Sequence, residues 1–235
     1  MIARIRGGAL LALLCVCAAA ASAAEITTFP GGRTLVVVRP DISSPKGVVL
    51  LIPGGSTFLR LGPNGETKSP NFVIRTRQML LDAGYAVAYM NDPADLREPI
   101  QRLRSIGRPV VLLSTSRGTV VAANNAERLG ADGPDLVILT SPVTVGAGSL
   151  GKFDGRSLRV PTLVTTNDGD TCRASPPAEA AALALRLEAN GSFLHFSSSR
   201  ATGDVCEPFS PHGYLGIESE VIGKILDWIS AHYST

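Results

Sequence analysis

The stretch Val111-Leu112-Leu113-Ser114-Thr115-Ser116-Arg117-Gly118-Thr119 decides how this chain is read. Its first part is continuously apolar, as a strand buried on both faces requires. From Thr119 to Leu129 the spacing turns helical, and Gly130 stops the helix. A strand that becomes a helix within a few residues must turn sharply. Such a turn exposes one side chain at its tip and crowds its two arms, so small residues belong on either side. Here Ser114 and Gly118 flank Ser116.

Working outward, the same alternation recurs. Upstream, Gly47 to Ile52 is an unbroken apolar run ended by Pro53-Gly54-Gly55-Ser56, and Ile26–Phe29 and Thr34–Arg39 form a hairpin around Pro30-Gly31-Gly32. Phe72 to Ala83 has helical spacing with Gly84 as its stop, and Tyr85 to Met90 is the next strand. Pro93 to Ile106 reads as a helix that Pro99 interrupts or kinks, and Pro109 to Leu113 as the strand before the decisive turn. Downstream, Leu136–Thr140, Thr162–Thr166 and Phe193–Ser197 are strands, while Pro177–Ala189 and Ile217–His232 are helices. Short apolar strands alternating with helices predict an α/β fold, a mostly parallel twisted sheet with helices on both faces. The opening hairpin is its antiparallel edge. No linker divides the chain, so 24–235 is expected to be one domain.

Residues 1–23 are set apart. Arg4 and Arg6 precede an apolar Leu/Ala-rich run, and Ala21-Ser22-Ala23 offers an A-x-A cleavage site, with Ser22-Ala23-Ala24 as the alternative one residue on. This is the pattern of a secretory signal peptide, the competing reading being a retained anchor. Cleavage predicts a secreted or periplasmic protein with no stable membrane insertion. It removes Cys15 and Cys17, leaving Cys172 and Cys206, a pair that in an exported chain favours a disulfide. It also removes two of the 22 basic residues, so charge balances against 20 acidic ones, and no basic patch points to nucleic acid.

Ser116 is followed by Asp170, two residues before Cys172, and by His212, six residues after Cys206. Strand–turn–helix around Ser116 and the order Ser, Asp, His resemble the α/β-hydrolase superfamily, whose nucleophile elbow reads G-x-S-x-G. The likeness covers essentially all of 24–235 and is to the small dienelactone-hydrolase-like and carboxylesterase-like serine hydrolases. Ser114 stands where the pattern has its first Gly. The resemblance implies Ser116 as nucleophile, His212 as general base and Asp170 as its acid partner. Ser114 is the nearest rival of Ser116. Asp168 remains a rival acid, and Glu207 a more remote one. His195, within the last strand, suits a satisfied core or packing role, and His232 sits where the last helix's dipole favours a cation.

The resemblance also implies an oxyanion hole from the backbone N–H groups of Gly55, or its neighbour Ser56, and of Arg117. Pro53 stands where the family usually has His. A Cys172–Cys206 bond would hold the acid and base loops in register. The segment Val143–Arg159 is too short for a cap domain, so the site is expected to be open, with Phe58, Leu59 and Val143 as pocket candidates. Arg117 and Arg60 would favour an anionic substrate, unless they are plain surface charge. The expected activity is hydrolysis of small-molecule carboxylic esters with no metal and no cofactor. The same residues would serve a thioesterase or an acyltransferase, and a non-catalytic binding protein on this scaffold is the rival from another class.

Overall fold

A computed structural model of the chain describes residues 24–233, so the expected signal peptide lies outside the described residues. The elements are β1 (Glu25–Phe29), β2 (Arg33–Val38), β3 (Val48–Ile52), α1 (Phe72–Arg75), α2 (Arg77–Asp82), β4 (Ala86–Met90), α3 (Arg97–Arg104), β5 (Val110–Thr115), α4 (Arg117–Leu129), β6 (Leu136–Thr140), β7 (Thr162–Asn167), α5 (Pro177–Arg186), β8 (Gly191–Phe196) and α6 (Glu218–His232). They form one sheet in the order β1-β2-β4-β3-β5-β6-β7-β8. The β1–β2 and β2–β4 pairings are antiparallel and the others parallel, so the opening hairpin is the antiparallel edge.

The apolar strands are explained by burial on both sides. Leu50 and Ile52 of β3 pack with Leu112 of β5 toward α3, α4 and α5, in one core layer. Val49 and Leu51 pack with Val111 and Leu113 toward Phe72 of α1, Leu80 of α2 and Ile225 of α6, in the other. No described helix is long and apolar enough to cross a membrane.

Two helices differ from their sequence reading. The expected helix 72–83 breaks at Thr76, whose hydroxyl donates to the carbonyl of Phe72 at 2.8 Å and competes with the helical ladder. The expected helix 93–106 starts only at Arg97, because Asp92 and Asp95 accept from the N–H groups two residues on and hold turns there. Pro99 therefore falls in the first turn of α3, where no intrahelical N–H is needed, and it does not kink the helix.

The topology also places the site. β3 lies between β4 and β5, so chain connections leave it in opposite directions and open a crevice beyond the C-terminal ends of the parallel strands. The Gly54-Gly55 loop follows β3, Ser116 follows β5, Asp170 follows β7, and His212 lies between β8 and α6. Between β6 and β7 there are only two short 3-10 turns, Leu150–Lys152 and Gly155–Ser157, and no cap.

Candidate active site

Ser116 stands between β5 and α4 with φ 52° and ψ −126°. Positive φ is uncommon outside glycine, and a non-glycine residue keeps it only where its surroundings enforce it. Here its N–H donates to Thr140 O at 3.0 Å, and its carbonyl accepts from the Thr119 N–H at 3.0 Å and hydroxyl at 2.6 Å. The crowding expected of a sharp turn is present. A β-carbon on Gly118 would lie 2.5 Å from the carbonyl oxygens of both Ile52 and Pro53, and one on Gly54 would lie 2.8 Å from Ser116 Cβ. Ser114 meets no such limit. Its buried hydroxyl donates to Ile138 O at 2.8 Å, which ties it into the sheet.

Asp170 and His212 meet across the next two loops. Nδ1 of His212 lies 2.7 Å from Oδ2 of Asp170, with side chains 4% and 0% exposed. The other carboxylate oxygen accepts from the Cys172 N–H at 2.8 Å. A carboxylate facing Nδ1 holds the proton there and leaves the lone pair on Nε2. Nε2 is buried without a partner among the described residues, and it is not hydrogen-bonded to Ser116 Oγ. Asp168 is elsewhere: it pairs with His195 at 2.9 Å, and both are exposed. His195 therefore has no core role. It lies on the edge strand β8, where alternate residues face solvent. Glu207 lies on the cavity rim, and His212 Nδ1 is already taken by Asp170. His232 stacks on Trp228 and bonds its carbonyl.

Residues to which the sequence reading assigned no role hold these loops. The buried Asn167 side-chain amide donates to Ser198 Oγ at 2.8 Å and Pro211 O at 3.0 Å, tying β7 to the segments before and around His212. Tyr214 is fully buried between Phe72 and Phe196. Its hydroxyl accepts from the Ser141 N–H at 3.2 Å and shares a 2.8 Å bond with Thr165 Oγ1. Burial pushes its pKa up to about 12, despite its bonds to Ser141 and Thr165. Ser141 in turn donates its hydroxyl to the His212 carbonyl at 2.8 Å. Arg75 donates to Gly213 O and pairs with Glu218 at 2.9 Å. Tyr214 follows Gly213 directly, which is a signal; nothing local to Ser141 announces its contact. Cys172 is joined to Cys206 across 34 residues of sequence.

Ser116 and His212 line one cavity of about 250 Å³ with Gly55, Ser56, Phe58 and Leu59. Gly55 has φ +67°, and Thr57 N–H closes the loop onto Gly54 O at 3.2 Å. The N–H of Arg117, at the first position of α4, has no intrahelical partner by construction. Val143 is buried and lies outside this cavity, while Arg60 lines a neighbouring groove with Phe58, Leu59 and Ser69. The charged side chain in the lining is that of Glu207, so the cavity itself offers no cation to an anionic substrate.

No protein-family model matches the chain, and no curated protein matches its sequence. Solved structures do resemble it. A "sugar hydrolase" from Lactococcus lactis aligns with TM-score 0.65 at 15% identity, over 88% of this chain and 97% of its own. An α/β serine hydrolase homologue from Coxiella burnetii aligns with TM-score 0.62 at 15% identity, over 88% and 96%. A thermostable carboxyl esterase from Bacillus coagulans aligns with TM-score 0.61 at 13% identity, over 89% and 98%. With its mostly parallel eight-stranded sheet and these neighbours, the chain has the α/β-hydrolase fold and resembles the serine hydrolases and esterases built on it.

Proposed function

We propose that this protein is an exported serine hydrolase that cleaves small carboxylic esters. The observation that carries the reading is a buried Asp170–His212 pair, its Nε2 without a partner among the described residues, with His212 lining one cavity with Ser116 at a strained turn. In this mechanism Ser116 Oγ attacks the ester carbonyl as His212 Nε2 takes its proton, and Asp170 holds the imidazole and stabilises the imidazolium. The backbone N–H groups of Arg117 and of Gly55 or Ser56 receive the developing oxyanion. His212 then protonates the leaving alcohol, an acyl-enzyme remains on Ser116, and water deprotonated by His212 releases the acid. The missing cap and a cavity of about 250 Å³ suit small acyl groups. The Cys172–Cys206 bond supports export, because such bonds persist in oxidising compartments.

The unmade Ser116–His212 bond is the observation that favours the rival reading, a non-catalytic scaffold; hydroxyl–imidazole contacts also close only on substrate binding in working enzymes. A fluorophosphonate decides between them. Labelling of the oxidised protein that disappears in Ser116→Ala supports the hydrolase. No labelling of the oxidised wild-type protein sinks it. Turnover of p-nitrophenyl esters of increasing chain length then reads the acyl preference, and added alcohol separates hydrolysis from acyl transfer.

A further inference from the structure

Asn71 lies between Pro70 and the first residue of α1 and is one of the residues lining the cavity that holds Ser116 and His212. Its backbone is fully used. The N–H donates to Ser69 Oγ at 3.4 Å, and the carbonyl accepts from the Ile74 and Arg75 N–H groups at 3.0 and 2.9 Å. Its side chain does not cap α1, and its Oδ1 is buried with no partner among the described residues. The amide is packed against the turn itself. A β-carbon placed on Gly54 would have Ser116 Cβ at 2.8 Å and Asn71 Nδ2 at 3.4 Å among its nearest neighbours. The amide nitrogen and the Ser116 side chain thus flank one glycine of the loop expected to hold the oxyanion.

A primary amide has two donors and two acceptor lone pairs, and leaving its Oδ1 buried and unpaired is costly. A folding role would pair it with another protein group, as the amide of Asn167 is paired with Ser198 Oγ and Pro211 O. Asn71 instead keeps its donors beside the reacting serine.

We propose that Asn71 is a catalytic residue that donates an Nδ2–H hydrogen bond to the carbonyl oxygen of the ester as it becomes an oxyanion, adding a side-chain donor to the backbone ones. The assignment rests on the ester-hydrolase reading above. A donor aimed at charge that appears only in the transition state raises kcat and leaves KM nearly unchanged. It also predicts that removing the amide does not weaken the fold, because no protein partner is lost.

The test compares wild-type protein with Asn71→Ala and Asn71→Asp, using p-nitrophenyl acetate turnover, fluorophosphonate labelling rate and melting temperature. Asn71→Asp keeps the shape and exchanges the donor for an acceptor. The expected result is a fall in kcat of at least about tenfold in Asn71→Ala and a larger fall in Asn71→Asp, with KM within about threefold. Labelling slows in parallel, and the melting temperature of Asn71→Ala stays at or above that of wild type. Wild-type kcat in both variants overturns the assignment, as does lower melting with unchanged kcat, which marks a structural role. Wild-type protein that neither labels nor turns over any ester overturns the hydrolase reading and this assignment together.

Discussion

Two Asp–His pairs leave the end of the same strand and finish in opposite environments. Asp168 and Asp170 both follow β7, and each lies within hydrogen-bond distance of an imidazole Nδ1, at 2.9 and 2.7 Å. Asp168 and His195 have side chains 49% and 66% exposed, on the edge strand β8. Asp170 and His212 have side chains 0% and 4% exposed, and Asp170 also accepts from the N–H of the disulfide-linked Cys172. In water the outer contact is screened and gains little. In the interior the same contact fixes a tautomer and leaves the Nε2 lone pair without a partner among the described residues. Distance and residue type do not distinguish the pairs; burial and what surrounds it do.

The sharpest way to break this contrast is to cut each pair by the same chemistry. Asp170→Asn is expected to lower kcat for a p-nitrophenyl ester by about 10⁴-fold, the scale seen when a triad acid loses its charge. Asp168→Asn and His195→Ala are expected to stay within about twofold of wild type. A large loss in Asp168→Asn would reverse the assignment.

The next effect asks what keeps the inner pair inside. Asp170 Oδ1 accepts from the N–H of Cys172, so the disulfide holds one end of the acid directly. Replacing both cysteines by Ser is expected to cost about 3–4 kcal/mol on the chain-entropy model, a fall of roughly 6–16 °C in melting temperature. kcat should fall with it while the Asp168–His195 contact is untouched. Reduced protein with unchanged melting and activity would show that the bond plays no part.

Tyr214→Phe sharpens the same point on the histidine side. It strips the buried Thr165 hydroxyl of its partner, while the Ser141 N–H keeps its 2.9 Å bond to Thr165 O, at an expected cost of about 1–3 kcal/mol by chemical denaturation. The activity loss should exceed that of His195→Ala, because the Ser141 hydroxyl is bonded to the His212 carbonyl.

The smallest effect is a pH dependence. Burial works to raise the pKa of Glu218, but its bonds to Arg75 win and hold it below 4.5. Its folded-state pKa is therefore depressed. The stability it contributes is present above the unfolded pKa and lost as pH falls below about 4.5 through the folded value. The pair is partly exposed, so the loss is at most about 1 kcal/mol. Glu218→Gln should flatten that part of the acid unfolding curve, and an unchanged curve would remove Glu218 from the account.

Much of this was legible in order and spacing. The apolar strands, the turn at Ser116 and the succession of Ser116, Asp170 and His212 are local or serial properties, and a chain cannot hide them. Pro99 and the helix 72–83 were misjudged because helix boundaries are decided by side-chain–backbone bonds, at Asp95 and Thr76 here, that periodicity does not register. His195 was misjudged because its strand is at an edge, and edge position belongs to the sheet.

By itself the sequence determined which residue types could do the chemistry and in what order the strands would deliver them, because periodicity, turn residues and chain order act over short range. Only the tertiary structure decided which aspartate met which histidine, which residues braced them, and that the Asn71 Oδ1 would be buried near Ser116 with no partner among the described residues. Those outcomes depend on burial and on contacts between residues far apart in sequence, which arise only when the loops at the strand ends close over one another.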